Sequence, residues 1–338
     1  MAMNGADILV RMLELYGVET VFGLCGDTSL PFYDALARSG GTLRHVLTRD
    51  ERSAAYMADG YARVSGRVGV CEGPSGGGAT YILPGVVEAN ESSIPLLAIT
   101  TDIATTSRGR YTLTELDQAA LFRPLTKWNA VAASAADLPR LLRTAFTQMT
   151  TGRTGAVHLG LPFDVQRQVV EAPDLQADPA LGRYPARRTV ASGVDVARAV
   201  EVLRAASRPL LICGGGVVLS GAERELLRVA EALDAPVATT ISGQGSLPEN
   251  HPLAVGVVGS NGGVAATRAV VEAADCVFFV TCRAGSVTTE RWRFPARGAA
   301  TIVQLDVDPN VVGANYAVDA ELVGDAKLTL AALADALG

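Results

Sequence analysis

Short apolar runs alternate with amphipathic segments along the chain, the pattern of mostly parallel sheets covered by helices on both faces. Asn4 is placed to cap a helix carrying Ile8, Leu9, Met12, Leu13 and Tyr16 on one face, with Gly17 as its stop. Strand Thr20–Leu24, helix Leu30–Arg38, strand Leu43–Leu47 and helix Arg52–Ser65 are predicted next. Strand Val68–Glu72 then runs into Gly73-Pro74-Ser75-Gly76-Gly77-Gly78. Pro84 suits the first turn of a following helix that ends near Ser92, which makes the glycine-rich stretch a long loop. Strand Leu96–Thr101, helix Leu138–Met149 and strand Ala156–Leu161 complete a first unit.

From about Val170 to Thr189 the sequence turns polar, contains Pro173, Pro179 and Pro185, and shows no periodicity, which reads as a linker. The second unit begins with helix Val196–Ala206, strand Leu210–Cys213, Gly214-Gly215-Gly216, helix Ala222–Leu233 and strand Val237–Thr240. Helix Val264–Ala274, strands Cys276–Thr281 and Ala300–Asp306, and helix Ala326–Leu337 follow. The expected fold is therefore α/β, with two tandem doubly wound, mostly parallel-sheet domains. They span residues 1–170 and 190–338, joined by a linker at 171–189.

The 338 residues suit two domains at roughly 150 residues each. A chain that is 49% hydrophobic and 19% charged can build cores and is not a disordered polymer. The net charge of -6 argues against a nucleic-acid partner, which normally meets a basic surface. No apolar run approaches the roughly 18 residues of a membrane span. The stretch Met1-Ala2-Met3-Asn4-Gly5-Ala6-Asp7 lacks the basic and apolar regions of a signal peptide, so a cytoplasmic protein is expected. Five cysteines give an odd count with no C-x-x-C pair, and the three histidines, 45, 158 and 251, lie far apart. Cys276 and Cys282 read as core residues of a strand, and no metal site is expected from this chain alone.

Glu51 follows a strand at the start of a helix, where open α/β sheets collect their ligands. An acid in a first helical turn also favours the helix dipole, so the position alone leaves both roles open. The loop Gly73–Gly78 lets backbone N–H groups approach a ligand, yet it lacks the Lys-Ser/Thr of a P-loop and is not G-x-G-x-x-G. Gly215, within a strand-to-helix turn, fits a nucleotide site. Arg283, just past a strand, has the reach for an anion, and Asp306 and Asp308 suit either a ribose or a turn.

Together these features resemble the thiamine-diphosphate enzymes of the acetolactate synthase group. The resemblance is carried by Glu51-Arg52-Ser53-Ala54-Ala55-Tyr56-Met57-Ala58-Asp59-Gly60-Tyr61-Ala62-Arg63 and by Gly66-Arg67-Val68-Gly69-Val70. Val21-Phe22-Gly23-Leu24-Cys25-Gly26, Ser93-Ile94-Pro95-Leu96-Leu97, and Gly155-Ala156-Val157-His158-Leu159 are similar too. Ala238-Thr239-Thr240, His251-Pro252-Leu253 and Leu305-Asp306-Val307-Asp308-Pro309 resemble the group's central domain. The resemblance implies a pyrimidine-binding first domain and a Rossmann-like central domain of the FAD/ADP type. It makes Glu51 the carboxylate that hydrogen-bonds N1′ of the aminopyrimidine, favouring the tautomer that takes the proton from C2. It places Cys25, Gly26, Pro74 and Gly77 around that ring, and assigns Gly215, Arg283 and Asp306 to a cofactor in the second domain. Whether FAD or ADP is held there is left open.

The chain also departs from the group. Asp50 stands where the family often has His, Cys25 where proline is frequent, and Thr114 where the synthases carry glutamine. These differences bear on the pyruvate-plus-pyruvate reaction more than on the cofactor. Family members continue into a diphosphate-binding domain whose Gly-Asp-Gly holds Mg²⁺. Here neither Gly26-Asp27 nor Gly324-Asp325 is followed by glycine. The expectation is one subunit of a split decarboxylase or carboligase acting on a 2-oxo acid. A partner subunit would supply Mg²⁺ and the diphosphate domain in an α₂β₂ heterotetramer. A non-catalytic nucleotide-binding or regulatory subunit, and a truncated single-chain enzyme, are the alternatives.

Overall fold

A computed structural model describes residues 2–41 and 43–338; Met1, part of the N-terminal stretch read above, and Thr42 lie outside the described residues. The chain divides into two compact units, one ending at Arg187 and one running from Arg188 to Gly338.

In the first unit Asn4 caps helix Gly5–Leu15 by accepting the Asp7 N–H at 2.8 Å, as its side chain and position dictate. Ile8, Leu9, Met12 and Leu13 on that helix are fully buried, and Tyr16 stacks on Phe146 at 3.8 Å. The sheet has six parallel strands in the spatial order Arg44–Leu47, Thr20–Gly23, Gly69–Gly73, Leu96–Asp102, Ala156–Pro162 and Trp128–Val131. Leu96–Asp102 and Ala156–Pro162 are buried at every position, which is why they read as mostly apolar runs, broken only by Thr100, Thr101 and Asp102 in one and His158 in the other. The edge strand Trp128–Val131 is only half-buried and gave no comparable signal.

The polar stretch read as a linker lies on the first unit up to Arg187. Leu181 enters its core, the Tyr184 hydroxyl donates to Ala62 O at 2.7 Å, and Ala186 N–H donates to Thr150 O at 2.9 Å. Prolines and missing periodicity report the absence of regular structure; isolated anchors can still pack such a segment.

The second unit is again a six-stranded parallel sheet, ordered Ala254–Val257, Val237–Thr239, Pro209–Cys213, Cys276–Val280, Thr301–Asp306 and Ala320–Val323. Side-chain alternation is plain here. Leu211, Cys213, Phe278 and Val280 enter one core cluster, whereas Leu210, Ile212, Val277 and Phe279 enter another. Helix formation begins earlier than expected, at Gly215–Ser220, and Gly221, with φ +62°, separates this turn from helix Glu223–Leu233. Helix Ala326–Leu337 is capped by Asp325, which also pairs with Arg188 at 2.9 Å. Among the described residues no helix is long and apolar enough to cross a membrane.

Candidate active site

Strand order in the first sheet reverses between Thr20–Gly23 and Gly69–Gly73, because the chain adds Arg44–Leu47 on one side and then crosses to the other. Loops leaving the carboxyl ends of such strands splay apart and leave a crevice. Cys25 and Gly26 follow one strand, Pro74 and Gly77 the other, and Glu51 begins the helix after the neighbouring strand. The five residues expected to form the pyrimidine site thus lie just beyond the carboxyl ends of three adjacent strands, in loops or at the first residue of a helix.

Asp50 accounts for the local geometry of Glu51. Its extended backbone and its carboxylate, accepting Ser53 N–H at 3.1 Å, cap helix Glu51–Ser65, and Arg52 pairs with it at 2.8 Å. Glu51 itself is half-buried, and its carboxylate carries no hydrogen bond or ion pair with any described residue. Its Oε1 would lie 3.3 Å from a Cβ built at Gly78.

The glycine-rich stretch is not the long loop expected. Helix begins at Gly77 and runs to Tyr81, and Leu83–Glu91 follows with Pro84 in its first turn. One of the stretch's N–H groups is already engaged, Ser75 donating to Thr28 Oγ1, and its Pro74 and Gly76 carbonyls accept from the Ala79 and Thr80 N–H groups. The glycines instead permit close packing. A Cβ at Gly26 would meet Pro74 Cβ at 2.5 Å, and one at Gly78 would meet Pro74 Cδ at 2.4 Å, so the proline ring is clamped between them. Gly77 is exposed, and a Cβ there would meet only Tyr81, at 3.7 Å. At Gly76, φ +68°, a side chain would strike Thr114, itself held at φ +72°, a strained conformation for a β-branched residue. The Cys25 thiol is exposed, 3.8 Å from Gly26 O.

A carboxyl that sequence reasoning passed over sits beneath this edge. Glu72, at the end of strand Gly69–Gly73, is fully buried; Ser29 Oγ donates to it at 2.5 Å and Tyr33 Oη at 2.8 Å. Burial pushes its pKa up to about 7, and the nearby charge of Glu51 acts in the same direction. Gly23 leaves room for this arrangement, since a Cβ there would lie 2.6 Å from Tyr33 Oη and 3.1 Å from Glu72 Oε2. The signal available was an acid inside a strand whose neighbours are all apolar or glycine.

In the second sheet the order reverses between Pro209–Cys213 and Cys276–Val280, so Gly215 and Arg283 follow the two strands of that switch point. Asp306 ends the next strand, Thr301–Asp306. Gly214 and Gly216 are packed on Thr281, where Cβ atoms would approach to 2.1 and 2.6 Å, and Gly215 meets Ser242 at 3.1 Å. Arg283 is exposed. Asp306 is nearly buried and accepts Asp308 N–H at 3.0 Å; burial raises its pKa, and the charge of Arg283 opposes the shift. Asp308 accepts Asn310 N–H at 3.0 Å, which makes it a turn residue. Among the described residues no three His, Cys, Asp or Glu side chains converge as a metal-binding set.

Two family models match the chain: "Thiamine pyrophosphate enzyme, N-terminal TPP binding domain" over residues 3–121 and "Thiamine pyrophosphate enzyme, central domain" over residues 196–333. Among curated proteins it is similar to a probable acetolactate synthase large subunit of Methanococcus aeolicus, at 41% identity over 97% of this chain and 54% of the relative. A probable acetolactate synthase large subunit of Methanocaldococcus jannaschii is also 41% identical, over 99% of this chain and 56% of its own length. The acetolactate synthase isozyme 3 large subunit of Escherichia coli is 34% identical, over 97% and 57% respectively. The chain thus spans a little over half the length of these relatives. With both domain models matched in order on its two α/β units, the chain belongs to the thiamine pyrophosphate enzymes, carrying their N-terminal TPP-binding and central domains.

Proposed function

We propose that this chain supplies the pyrimidine-binding half of a thiamine-diphosphate active site in a 2-oxo acid decarboxylase or carboligase of the acetolactate synthase kind. The observation that carries the reading is Glu51: an unpaired, half-buried carboxylate at a sheet's switch point, against a glycine that leaves it room. That donor set fits an aminopyrimidine, whose ring nitrogens need one carboxyl partner and flat, side-chain-free walls. When bound, thiamine diphosphate supplies the carbon nucleophile and the electron sink for breaking the bond to the substrate carboxylate.

Each residue then has a limited task. Glu51 holds a proton at N1′ and so controls the charge of the ring's amino group. Gly26, Pro74 and Gly77, with Cys25 beside them, are the residues that would hold the ring. Mg²⁺ bridging a diphosphate requires several oxygen ligands, which we assign to a diphosphate domain outside this sequence, carried by a partner subunit in an α₂β₂ assembly. The second switch point, with Gly215, Arg283 and Asp306, supports a further reading in which the central domain holds FAD or ADP. Copurification of a flavin with its visible absorbance would support FAD, and a colourless chain that binds ADP would support the other.

Calorimetry on the chain with thiamine diphosphate and Mg²⁺ tests the division of labour. Binding is expected only after a diphosphate-domain polypeptide encoded beside this chain is added. Tight Mg²⁺-dependent binding and decarboxylation by this chain alone would overturn the split arrangement.

A further inference from the structure

Behind the glycine-rich stretch, five hydroxyl groups join the buried Glu72 to the surface. Ser29 Oγ lies 2.5 Å from Glu72 Oε1, and Thr101 Oγ1 lies 3.0 Å from Ser29. Thr28 Oγ1 follows at 2.9 Å from Thr101, Ser75 Oγ at 3.2 Å from Thr28, and Thr114 Oγ1 at 2.7 Å from Ser75. Glu72, Ser29 and Thr101 are fully buried, whereas Thr114 is exposed.

A hydroxyl donates one hydrogen and also accepts, so such a row has two self-consistent orientations. In the structure Ser29 donates inward to Glu72 and Thr28 donates outward to Ser75. Turning the Thr28 and Ser75 hydroxyls gives the inward row of the ionised state, in which Thr114 donates to Ser75, Ser75 to Thr28, Thr28 to Thr101, Thr101 to Ser29 and Ser29 to Glu72. With Glu72 protonated the row reverses, Glu72 donating to Ser29 and Thr114 donating outward. The two states differ by one proton. Passing between them moves that charge along the row while each hydroxyl keeps one hydrogen.

We propose that this row is a proton path between Glu72 and the surface at the glycine-rich stretch, and that it supplies protons to the candidate site. The other groups facing Glu72 leave it as the titrating end. Tyr33 donates to Oε2 in either state, and the Cys71 and Cys25 thiols are held neutral by pKa values raised through burial. His45, edge-on to Tyr33 at 4.7 Å, is kept neutral by burial, and Glu51 is the other acid whose charge reaches Glu72. The supply role rests on the thiamine reading, because decarboxylating a 2-oxo acid consumes one proton: RCOCOO⁻ + H⁺ gives RCHO + CO₂.

Infrared spectroscopy of the full chain without cofactor tests the path. The C=O stretch of protonated Glu72, assigned by its loss in Glu72→Gln, shifts when the acid exchanges its proton after transfer to D₂O. Exchange is expected within the mixing time in the wild type. It should be at least roughly tenfold slower in Thr101→Val, which keeps the side-chain shape and must wait for local opening. Thr28→Val, one step nearer the surface, should slow it likewise and serves if the buried variant misfolds. Equal exchange rates in the wild type and the folded variants would overturn the path, as would a wild-type acid that exchanges only on chain opening. Neither result touches the thiamine reading, which the calorimetry decides separately.

Discussion

Gly78 faces Pro74 so closely that a Cβ at position 78 would stand 2.4 Å from the proline Cδ and 3.3 Å from Glu51 Oε1. A rigid ring cannot yield as a flexible side chain would, so Gly78→Ala must shift the backbone between Pro74 and Gly78, beside the Glu51 carboxylate. Overpacking of this kind costs about 1–3 kcal/mol. Denaturant midpoints should report that loss, and the assembled enzyme should bind thiamine diphosphate more weakly. Gly60→Ala is the control: it lies in the same helix as Glu51 with nothing within 4 Å of a Cβ, and should gain about 0.5–1 kcal/mol. Two variants of equal stability would contradict the clamp.

The carboxyl of Glu72 titrates near 4.5 when exposed and about 7 when folded. Between those values the folded chain holds a proton that the unfolded chain has released. Its contribution is complete below 4.5 and is lost as pH rises through 7, at about 1.4 kcal/mol per pH unit. Glu72→Gln removes this dependence. The variant should therefore gain on the wild type between pH 5 and pH 7 when urea midpoints are compared. A constant gap would mean that Glu72 is already ionised at pH 5.

His158 has the opposite sign. Thr100 donates to Gln118 at 2.5 Å, so the His158 Nε2–H donates to Thr100 at 2.6 Å and Nδ1 is left without a partner. Complete burial, with the ring stacked on Phe122 at 3.7 Å, pushes its pKa down to about 3. Its contribution is present above pH 6.5 and is lost as pH falls toward 3, because only the unfolded chain takes up the proton. His158→Phe keeps the stack and loses the hydrogen bond, at about 1–3 kcal/mol near pH 7. Its deficit should shrink on acidification to pH 4; parallel stability curves would show that His158 is protonated in the fold.

The long amphipathic helices were legible from their period and the doubly buried strands from their apolar runs. Strands Trp128–Val131, Ala254–Val257 and Ala320–Val323 were not, being short, partly exposed edge elements. Glu51 stood out through its place after a strand, but Glu72 could not. Its partners Ser29 and Tyr33 lie about forty residues away in sequence and converge only through the sheet order. Leu181 and Tyr184 escaped for a related reason: a single anchor leaves no period to read.

Exchange of the thiamine C2 proton for deuterium in the assembled enzyme tests the role of Glu51 most directly, because that step depends on the proton held at N1′. In Glu51→Gln, cofactor binding and fold should persist while C2 exchange and turnover both fall by at least about a hundredfold, the lower end of general acid–base contributions. Exchange at the wild-type rate in that variant would reduce Glu51 to a helix-end acid and contradict the account.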